Sequence, residues 1–235
     1  MPFNKVTNII PAFNESATIK KIIARLMAVD FAPLTREIIV VDDGSTDGTR
    51  ELLQQIPGIR YIFHERNRGK GGAVKTGFAA ATGDIVTVQD ADLEYDPADL
   101  PKVLRPILEG KTEVTNGVRI QPARDERRRK SLYWLSWLGN HAITLTTNIL
   151  YGVWLGEYEG CYKAFTKNAI AGVSIRTDSF DYDNELVCKL LRRGFRVAEA
   201  PIRYNPRRYE EGKKITWRDG LRILWTITQW RVRPF

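Results

Sequence analysis

Two aspartates separated by one residue carry the clearest chemical signal in this chain. Asp90–Ala91–Asp92 follows residues 85–89, an apolar run with the composition of a buried strand. Because residues i and i+2 lie on the same side of an extended chain, both carboxylates can face one loop. Mg²⁺ and Mn²⁺ prefer such oxygen ligands and would neutralise the charge of a departing nucleoside diphosphate. We predict a divalent-cation site made of Asp90 and Asp92, with Glu94 as a third ligand.

A second acidic turn follows another apolar run. Residues 37–41 have the composition of a buried parallel strand, and Asp42 and Asp43 come directly after it. Their carboxylates could accept hydrogen bonds from a nucleobase or a ribose. The alternative is an ordinary tight turn that caps the next helix, for which Thr46 is the predicted N-cap.

A glycine-rich stretch lies between these two acidic turns. Residues 68–73, Arg-Gly-Lys-Gly-Gly-Ala, resemble a phosphate-binding loop with Lys70 as its cation. The spacing differs from that of P-loop nucleotidases, and no dinucleotide-binding glycine pattern follows the first strand. We therefore predict neither of those classes.

The elements that must position these residues alternate along the first half of the chain. Strands are predicted at residues 6–10, 37–41, 61–64 and 85–89, and helices at residues 19–29, 47–55 and 72–81. This order predicts an α/β fold, a mostly parallel sheet with helices on both faces. Ligands of such sheets bind beyond the carboxyl ends of the strands, where all four aspartates fall.

Composition narrows the classes of function. A chain of 235 residues, 43% of them hydrophobic, suits one α/β domain. Two cysteines, Cys161 and Cys188, and two histidines are too few for a zinc site and predict reduced thiols. The formal net charge of +8 is concentrated in the second half without the patterns of nucleic-acid-binding modules. Phosphate groups and membrane lipids are therefore expected as partners, and nucleic acid is not.

Two stretches of the second half could contact a membrane. Residues 131–155 contain no Asp, Glu, Lys or Arg and are long enough to span a bilayer. Asn140, His141, Asn148 and Gly139 interrupt the run, so we expect two amphipathic segments on a surface. Residues 215–235 mix Trp, Leu and Ile with Arg, which suits either a membrane interface or a helix packed on the domain.

The order of four motifs is more specific than any one of them. In this order they resemble the motifs of the family-2 glycosyltransferases with the GT-A fold. The four motifs are residues 11–15 (Pro-Ala-Phe-Asn-Glu), 41–45 (Val-Asp-Asp-Gly-Ser), 67–73 and 90–92. The second half resembles the dolichol-phosphate mannose synthase branch of this family and its bacterial polyprenyl-phosphate relatives. The segments that carry this resemblance are residues 116–119, 161–165, 201–204, Arg207 and 212–215. The resemblance covers roughly residues 5–220 and includes C-terminal amphipathic helices.

The resemblance implies an inverting, metal-dependent hexosyltransferase. The donor would be a nucleoside-diphosphate sugar of the GDP-mannose or UDP-glucose type, and the acceptor a polyprenyl or dolichyl phosphate. A soluble family-2 enzyme acting on a sugar or protein hydroxyl is the alternative. The implied donor-binding set is Pro11, Phe13, Glu15, Asp42, Asp43, Lys70, Asp90, Ala91, Arg119 and Lys213. Lys214 is an alternative to Lys213, and residues 127–130 are candidates for the lipid phosphate.

Asp92, Arg207 and Glu157 are the residues expected to carry the reaction. The metal and Arg207 would stabilise the departing diphosphate. Glu157 stands where relatives carry an aspartate. A lipid phosphate is already anionic, whereas a hydroxyl acceptor needs a base. The candidate bases are Asp92, Glu157, Asp183 and Glu185, the last two being equally consistent with solvated charges, like Asp181.

The expected organisation is a single domain over residues 1–235. Residues 1–118 would bind the nucleotide sugar, residues 119–214 the acceptor, and residues 215–235 would form a basic amphipathic segment. With no secretory signal before the first strand, we expect a cytoplasmic protein, peripheral on the cytoplasmic face of the membrane. A membrane protein or a second copy of the chain is a further candidate partner.

Overall fold

A seven-stranded sheet organises the chain. The computed structural model describes residues 3–120, 133–205 and 217–235. The strands are β1 (Lys5–Ala12), β2 (Thr35–Asp42), β3 (Arg60–Phe63), β4 (Ile85–Val88), β5 (Val114–Ile120), β6 (Lys163–Thr166) and β7 (Val197–Arg203). Their order is β3-β2-β1-β4-β6-β5-β7. Neighbouring strands are parallel except at β6, which is antiparallel to β4 and β5.

Helices cover both faces of this sheet, as predicted. They are α1 (Ile19–Met27), α2 (Thr49–Gln54), α3 (Lys70–Ala80), α4 (Leu100–Leu108), α5 (Tyr133–Tyr151), α6 (Lys167–Ile170), α7 (Tyr182–Arg192) and α8 (Trp217–Val232). One face carries α1 and α4, and the other carries α3, α5, α7 and α8. The mixed α/β fold with a mostly parallel sheet is therefore confirmed.

The apolar run in β2 shows why a parallel strand forms here. Ile38 and Val40 pack in the core cluster shared with α1 and α4, whereas Ile39 and Val41 pack on the other face against Ala73 of α3. A strand buried on both faces needs apolar residues at consecutive positions, and this run supplies them.

The start of α2 corrects one prediction. The helix begins at Thr49, after Gly48 with φ +91°, so Thr46 is not its N-cap. The backbone N–H of Thr46 instead donates to Asn14 Oδ1 at 2.9 Å, and Asp47 Oδ1 accepts from the N–H of Thr49 at 3.1 Å. The left-handed turn at Gly48 thus moves the start of the helix two residues further along the chain than predicted.

Residues 133–151 form one helix, so the expectation of two amphipathic segments is wrong. Ile143, Thr147 and Leu150, at i, i+4 and i+7, form the buried side of α5. Packing of this face outweighs the helix-weakening effect of Gly139 near its first third. Among the residues described, none of the helices combines the length and apolar character that crossing a bilayer requires.

The last helix packs on the domain through one side. Ile223, Ile227 and Trp230 of α8 are buried in the same core cluster as Ile143 of α5. The predicted packing of this segment is therefore correct for that side of the helix, whereas its other side is exposed.

Candidate functional site

The loops that follow β1 and β2 are tied together by hydrogen bonds. Asn14, with φ +53°, donates its N–H to Ser45 Oγ at 2.8 Å, and the N–H of Glu15 donates to Thr49 Oγ1 at 2.9 Å. Ala12 and Asp42 are paired in the strand register. The structure thus brings the predicted donor-binding segment 11–15 next to Asp42.

Asp42 is a fully buried carboxylate with one unpartnered oxygen. Its Oδ2 accepts hydrogen bonds from Arg50 Nε at 3.2 Å and Nη2 at 3.1 Å. Arg50 also donates to the carbonyl of His64 and lies over the ring of Phe63. Among the described residues nothing donates to Asp42 Oδ1. An unsatisfied buried carboxylate oxygen is costly, so this atom would be stabilised by an N–H donor. Because Asp42 is fully buried, an external donor reaches it only if the turn around it opens.

Asp43 has a different environment. It accepts from His64 Nδ1 at 2.6 Å, from the N–H of Arg68 at 2.9 Å and from the N–H of Gly69 at 2.8 Å. Both oxygens are therefore engaged in holding the turn before α3. Of the two aspartates in this turn, only Asp42 has an oxygen without a hydrogen-bond partner among the described residues.

The glycine-rich stretch contacts another loop of the protein. The N–H of Gly71 donates to the carbonyl of Asp178 at 2.9 Å. A Cβ on Gly69 would lie 2.3 Å from the same oxygen, and one on Gly71 would lie 2.8 Å from the carbonyl of Thr177. The glycines thus permit close packing of residues 177–179. The backbone here is not an open phosphate loop.

Lys70 points its ammonium at the predicted cation centre. Its Nζ lies 2.5 Å from Asp90 Oδ1. Burial opposes the charged ammonium, but the Asp90 carboxylate outweighs it, and the pKa of Lys70 is raised well above its ordinary value. Burial and the same carboxylate also raise the pKa of the neighbouring Cys161 thiol. Cys161 and Cys188 are both free thiols, as predicted.

Asp92 and Glu94 diverge after β4. Asp92 is mostly buried and its Oδ1 accepts from the N–H of Glu94 at 3.0 Å. The Glu94 carboxylate adjoins the hydroxyl of Tyr204. The pKa of Tyr204 is raised, mainly by burial and secondly by this carboxylate. Ala91, between the two aspartates, belongs to the hydrophobic core.

The donor set fits a divalent ion shared with a substrate. Within the described ranges, no three His, Cys, Asp or Glu side chains form a group that could hold a metal. Mg²⁺ is usually held by one or two carboxylates, with waters and substrate phosphates completing the octahedron. Asp90 and Asp92 match that pattern, whereas a cage made of protein alone would need more ligands.

Arg119, near the end of β5, forms a buried pair with Glu157. In the sheet, β5 is separated from β1 by the two strands β4 and β6. The N–H of Arg119 donates to Glu157 Oε2 at 2.8 Å, and the guanidinium contacts Oε1. The guanidinium also lies 4.9 Å from the ring centre of Tyr204. Both oxygens of Glu157 are thus engaged by a cation, which is an environment suited to orienting Arg119.

Lys163 and Glu159 have roles that sequence reasoning missed. Lys163, almost fully buried, donates from Nζ to the carbonyls of residues 158 and 160 and to Asp183 Oδ2 at 2.8 Å. Glu159 accepts from Asn184 Nδ2 at 3.0 Å, and burial together with the Asp183 carboxylate raises its pKa. Lys163 belongs to the segment 161–165 that resembles the family. Only the fold shows that it joins the Glu157 loop to α7.

Asp181 and Glu185 are buried, so their interpretation as solvated charges is wrong. Glu185 accepts from the N–H groups of Arg176 and Thr177, each at 2.9 Å, and contacts Lys189. Asp181 accepts from the hydroxyls of Thr177 and Thr226. These carboxylates hold residues 176–181 in place. Predicted site residues Arg207, Lys213, Lys214 and 127–130 lie outside the described residues.

A mixed sheet with carboxylates gathered beyond its parallel strands is the architecture of GT-A glycosyltransferases. The chain belongs to glycosyl transferase family 2, whose model matches residues 7–171. In fold it is similar to glucosyl-3-phosphoglycerate synthase of Mycobacterium tuberculosis in complex with Mn²⁺, UDP and phosphoglyceric acid. The TM-score is 0.71 at 19% identity, covering 99% of this chain and 80% of that one.

Two relatives fit the predicted branch of this family. One is the UDP-N-acetylglucosamine–dolichyl-phosphate N-acetylglucosaminyltransferase of Methanococcus voltae, 26% identical over 93% of each chain. The other is the undecaprenyl-phosphate 4-deoxy-4-formamido-L-arabinose transferase of Salmonella paratyphi A, 29% identical over 90% of this chain. The chain spans 63% of the length of that second relative. The resemblance to polyprenyl-phosphate glycosyltransferases is thus confirmed.

Proposed function

We propose that this protein transfers a sugar from a nucleoside-diphosphate sugar to a polyprenyl-type lipid phosphate. The observation that carries the proposal is the position of three aspartates at the carboxyl ends of two parallel strands. Asp90 and Asp92 follow β4, and Asp42, with its unpartnered oxygen, ends β2. That arrangement offers a metal-diphosphate position and a base-recognition position. The names of the relatives from Methanococcus and Salmonella support the lipid acceptor.

A uridine donor fits Asp42 better than a guanosine donor. The Watson–Crick edge of guanine offers two adjacent N–H donors, which pair best with both oxygens of a carboxylate, whereas uracil offers one. Arg50 already engages Oδ2 of Asp42, and only Oδ1 is unpartnered. Of the two donor types predicted, we favour the UDP-sugar.

A divalent cation, Mg²⁺ or Mn²⁺, would be held by Asp90 and Asp92, without the predicted third ligand Glu94, which adjoins Tyr204 instead. When bound, it would stabilise the charge of the departing diphosphate as a Lewis acid. Lys70 places a second cation at Asp90. Pro11, Phe13 and Glu15 would border the nucleoside, and Arg207 and Lys213 remain proposed phosphate contacts.

The engagement of the candidate bases favours a phosphate acceptor. Glu157 is paired with Arg119, and Asp183 with Lys163. Glu185 is buried against Lys189 and backbone N–H groups. The oxygens of these three carboxylates already accept hydrogen bonds from protein groups, so they are poorly placed to take a proton from a hydroxyl. A lipid phosphate oxygen attacks as an anion and needs no such base, so the hydroxyl acceptor is the less favoured alternative.

The proposal is tested by measuring release of nucleoside diphosphate from UDP- and GDP-sugars with Mn²⁺ or Mg²⁺. We expect polyprenyl phosphate to stimulate UDP release and to yield an acid-labile product that extracts into organic solvent. Transfer to a sugar or protein hydroxyl, without stimulation by the lipid phosphate, would refute the lipid acceptor. UDP should bind at least about tenfold more tightly than GDP, since a guanine N–H would be left without a partner.

A matched pair of variants tests the cation centre. Asp92→Asn should lower transfer at least about 100-fold, because one charged metal ligand is lost. Asp96→Asn removes a nearby carboxylate that pairs with Arg203 at 3.1 Å and should leave transfer almost unchanged. Near-normal turnover of the Asp92 variant would contradict a metal site there.

A further inference from the structure

The exposed side of α8 carries an apolar stripe. Leu221, Trp225 and Val232 lie at i, i+4 and i+11, which places them on one side of the helix. They are 59 to 78% exposed. Ile223, Ile227 and Trp230 form the opposite, buried side. The helix is therefore apolar on two sides, and only one of them is used by the core.

A second stripe runs along α5. Leu138, Leu145 and Ile149, at i, i+7 and i+11, are 49 to 68% exposed, and Trp137 lies beside them with half of its surface exposed. Residues 137–151 contain no charged side chain. Two neighbouring helices thus show the same unusual pattern of large apolar groups in solvent.

The two stripes lie on neighbouring helices that pack on the same core. The helices are joined by hydrogen bonds from the Tyr151 hydroxyl to the carbonyl of Ile227, and from Arg231 Nε to the carbonyl of Leu150. The buried sides of both helices enter the same core cluster. Their outer sides therefore point away from that core together. We name the seven exposed residues given above the α5–α8 face.

Arginines border this face. Three of them, Arg222, Arg231 and Arg233, are exposed, and each donates a hydrogen bond to an uncharged acceptor. The acceptors are Ser179 Oγ, the carbonyl of Leu150 and Gln229 Oε1, respectively. Tryptophan and aliphatic groups flanked by arginine match the boundary between the acyl chains and the anionic headgroups of a bilayer. An isologous contact between two copies would instead bring arginine-bordered stripes against each other, which like charge opposes.

We infer that the α5–α8 face docks on the surface of a bilayer that contains anionic phospholipids, with both helices lying in the interface. The inference deepens the proposed function, because an enzyme using a lipid phosphate must meet it at a bilayer. The inference rests on the proposed function only for the reason why the protein would meet a bilayer. The face itself follows from the exposed stripes and the arginines around them.

The test is co-sedimentation of the full chain with vesicles of phosphatidylcholine, with and without phosphatidylglycerol. We expect binding to the anionic vesicles that weakens as ionic strength rises. Leu221→Ser with Trp225→Ser, and Trp137→Ser with Leu145→Ser, should each reduce binding at least about tenfold, because they remove the inserting groups. Tyr61→Ser is the matched control, since Tyr61 is an exposed aromatic residue on β3, the edge strand at the far end of the sheet.

Two results would overturn the inference. The first is that the wild type does not bind anionic vesicles, or that both double variants bind them as strongly as the wild type. The other is a wild-type dimer that the stripe substitutions dissociate while vesicle binding is absent, which would assign the face to a second copy. Transfer to a short-chain, water-soluble lipid phosphate is measured in the same variants. It should persist, and its absence from the wild type would count against the proposed function and not against the docking face.

Discussion

Lys70 Nζ lies 2.5 Å from Asp90 Oδ1, so a cation of the protein already stands at the carboxylate that is proposed to hold the metal. The contact arises because α3 begins at Lys70, at the edge of the sheet where β4 ends. A divalent ion at Asp90 must therefore compete with the ammonium or share the carboxylate with it.

Removal of this ammonium should strengthen binding of the metal alone. Lys70→Gln is expected to bind Mn²⁺ about five- to tenfold more tightly without nucleotide, because a like charge leaves the site. Electron paramagnetic resonance titration of free Mn²⁺ measures this. Lys75→Gln is the control: Lys75 lies on the same helix and pairs with Asp178 at 2.5 Å. An unchanged or weaker Mn²⁺ affinity in the Lys70 variant would place the metal elsewhere.

The pair of Arg119 and Glu157 distinguishes orientation from base catalysis. If Glu157 orients Arg119, Glu157→Gln should lower transfer about 10- to 100-fold and leave the shape of the pH profile unchanged. Arg119→Lys should be similarly impaired, since a lysine cannot reproduce the contacts of the guanidinium. The double variant should then be little worse than either single one. Loss of the acidic limb of the profile in Glu157→Gln would show instead that this carboxylate accepts a proton.

Local sequence patterns were sufficient to predict strands β1 to β4 and the positions of the acidic turns, but not strands β5, β6 and β7. The consecutive apolar residues of β2 and β4 specify strands buried on both faces, and the aspartates after them necessarily fall at the carboxyl edge. The family motifs likewise predicted that segment 11–15 and Asp42 come together. These features depend on residues close in sequence, or on the general geometry of parallel sheets.

The pairings of side chains could not be predicted in the same way. Arg50 on Asp42, and Lys163 on Asp183, join residues from different elements, and their partners are set by packing. The same is true of the glycines around the start of α3, which suggested phosphate binding but accommodate residues 177–179. The single helix α5 was missed because its stability comes from its neighbours and not from its own propensity.

Gly71 is expected to be essential for close packing of α3 against residues 177–179. Gly71→Ala should lower the free energy of unfolding by roughly 1–3 kcal/mol, because the new methyl group would lie 2.8 Å from the carbonyl of Thr177. Gly139→Ala is the matched control, since a Cβ at that helical position meets nothing within 4 Å. That substitution should stabilise the protein by up to about 1 kcal/mol. Urea denaturation of both variants checks the prediction, and equal stability of the two would contradict it.

Glu37 should make stability depend on pH. It accepts hydrogen bonds from the hydroxyl of Thr7 at 2.6 Å, from the N–H and hydroxyl of Thr82 and from Arg60. Burial alone would raise the pKa of Glu37, but these bonds outweigh it and lower the pKa from 4.5 to about 2. Since the pKa is lower in the folded state, the stabilisation is present above pH 4.5 and is lost as the pH falls towards 2.

Glu37→Gln should therefore reduce the free energy of unfolding at pH 7 by up to about 3 kcal/mol. The difference from the wild type should narrow as the pH falls below about 5, because the wild-type carboxylate then begins to lose its advantage. Urea denaturation at a series of pH values between 7 and 4 measures this. Glu109→Gln, which removes an exposed carboxylate paired with Arg105 on the same helical turn, should leave stability unchanged throughout. A Glu37 variant as stable as the wild type at pH 7, or a difference independent of pH, would show that this buried carboxylate does not couple β1 and β2 to the start of β4 as its hydrogen bonds indicate.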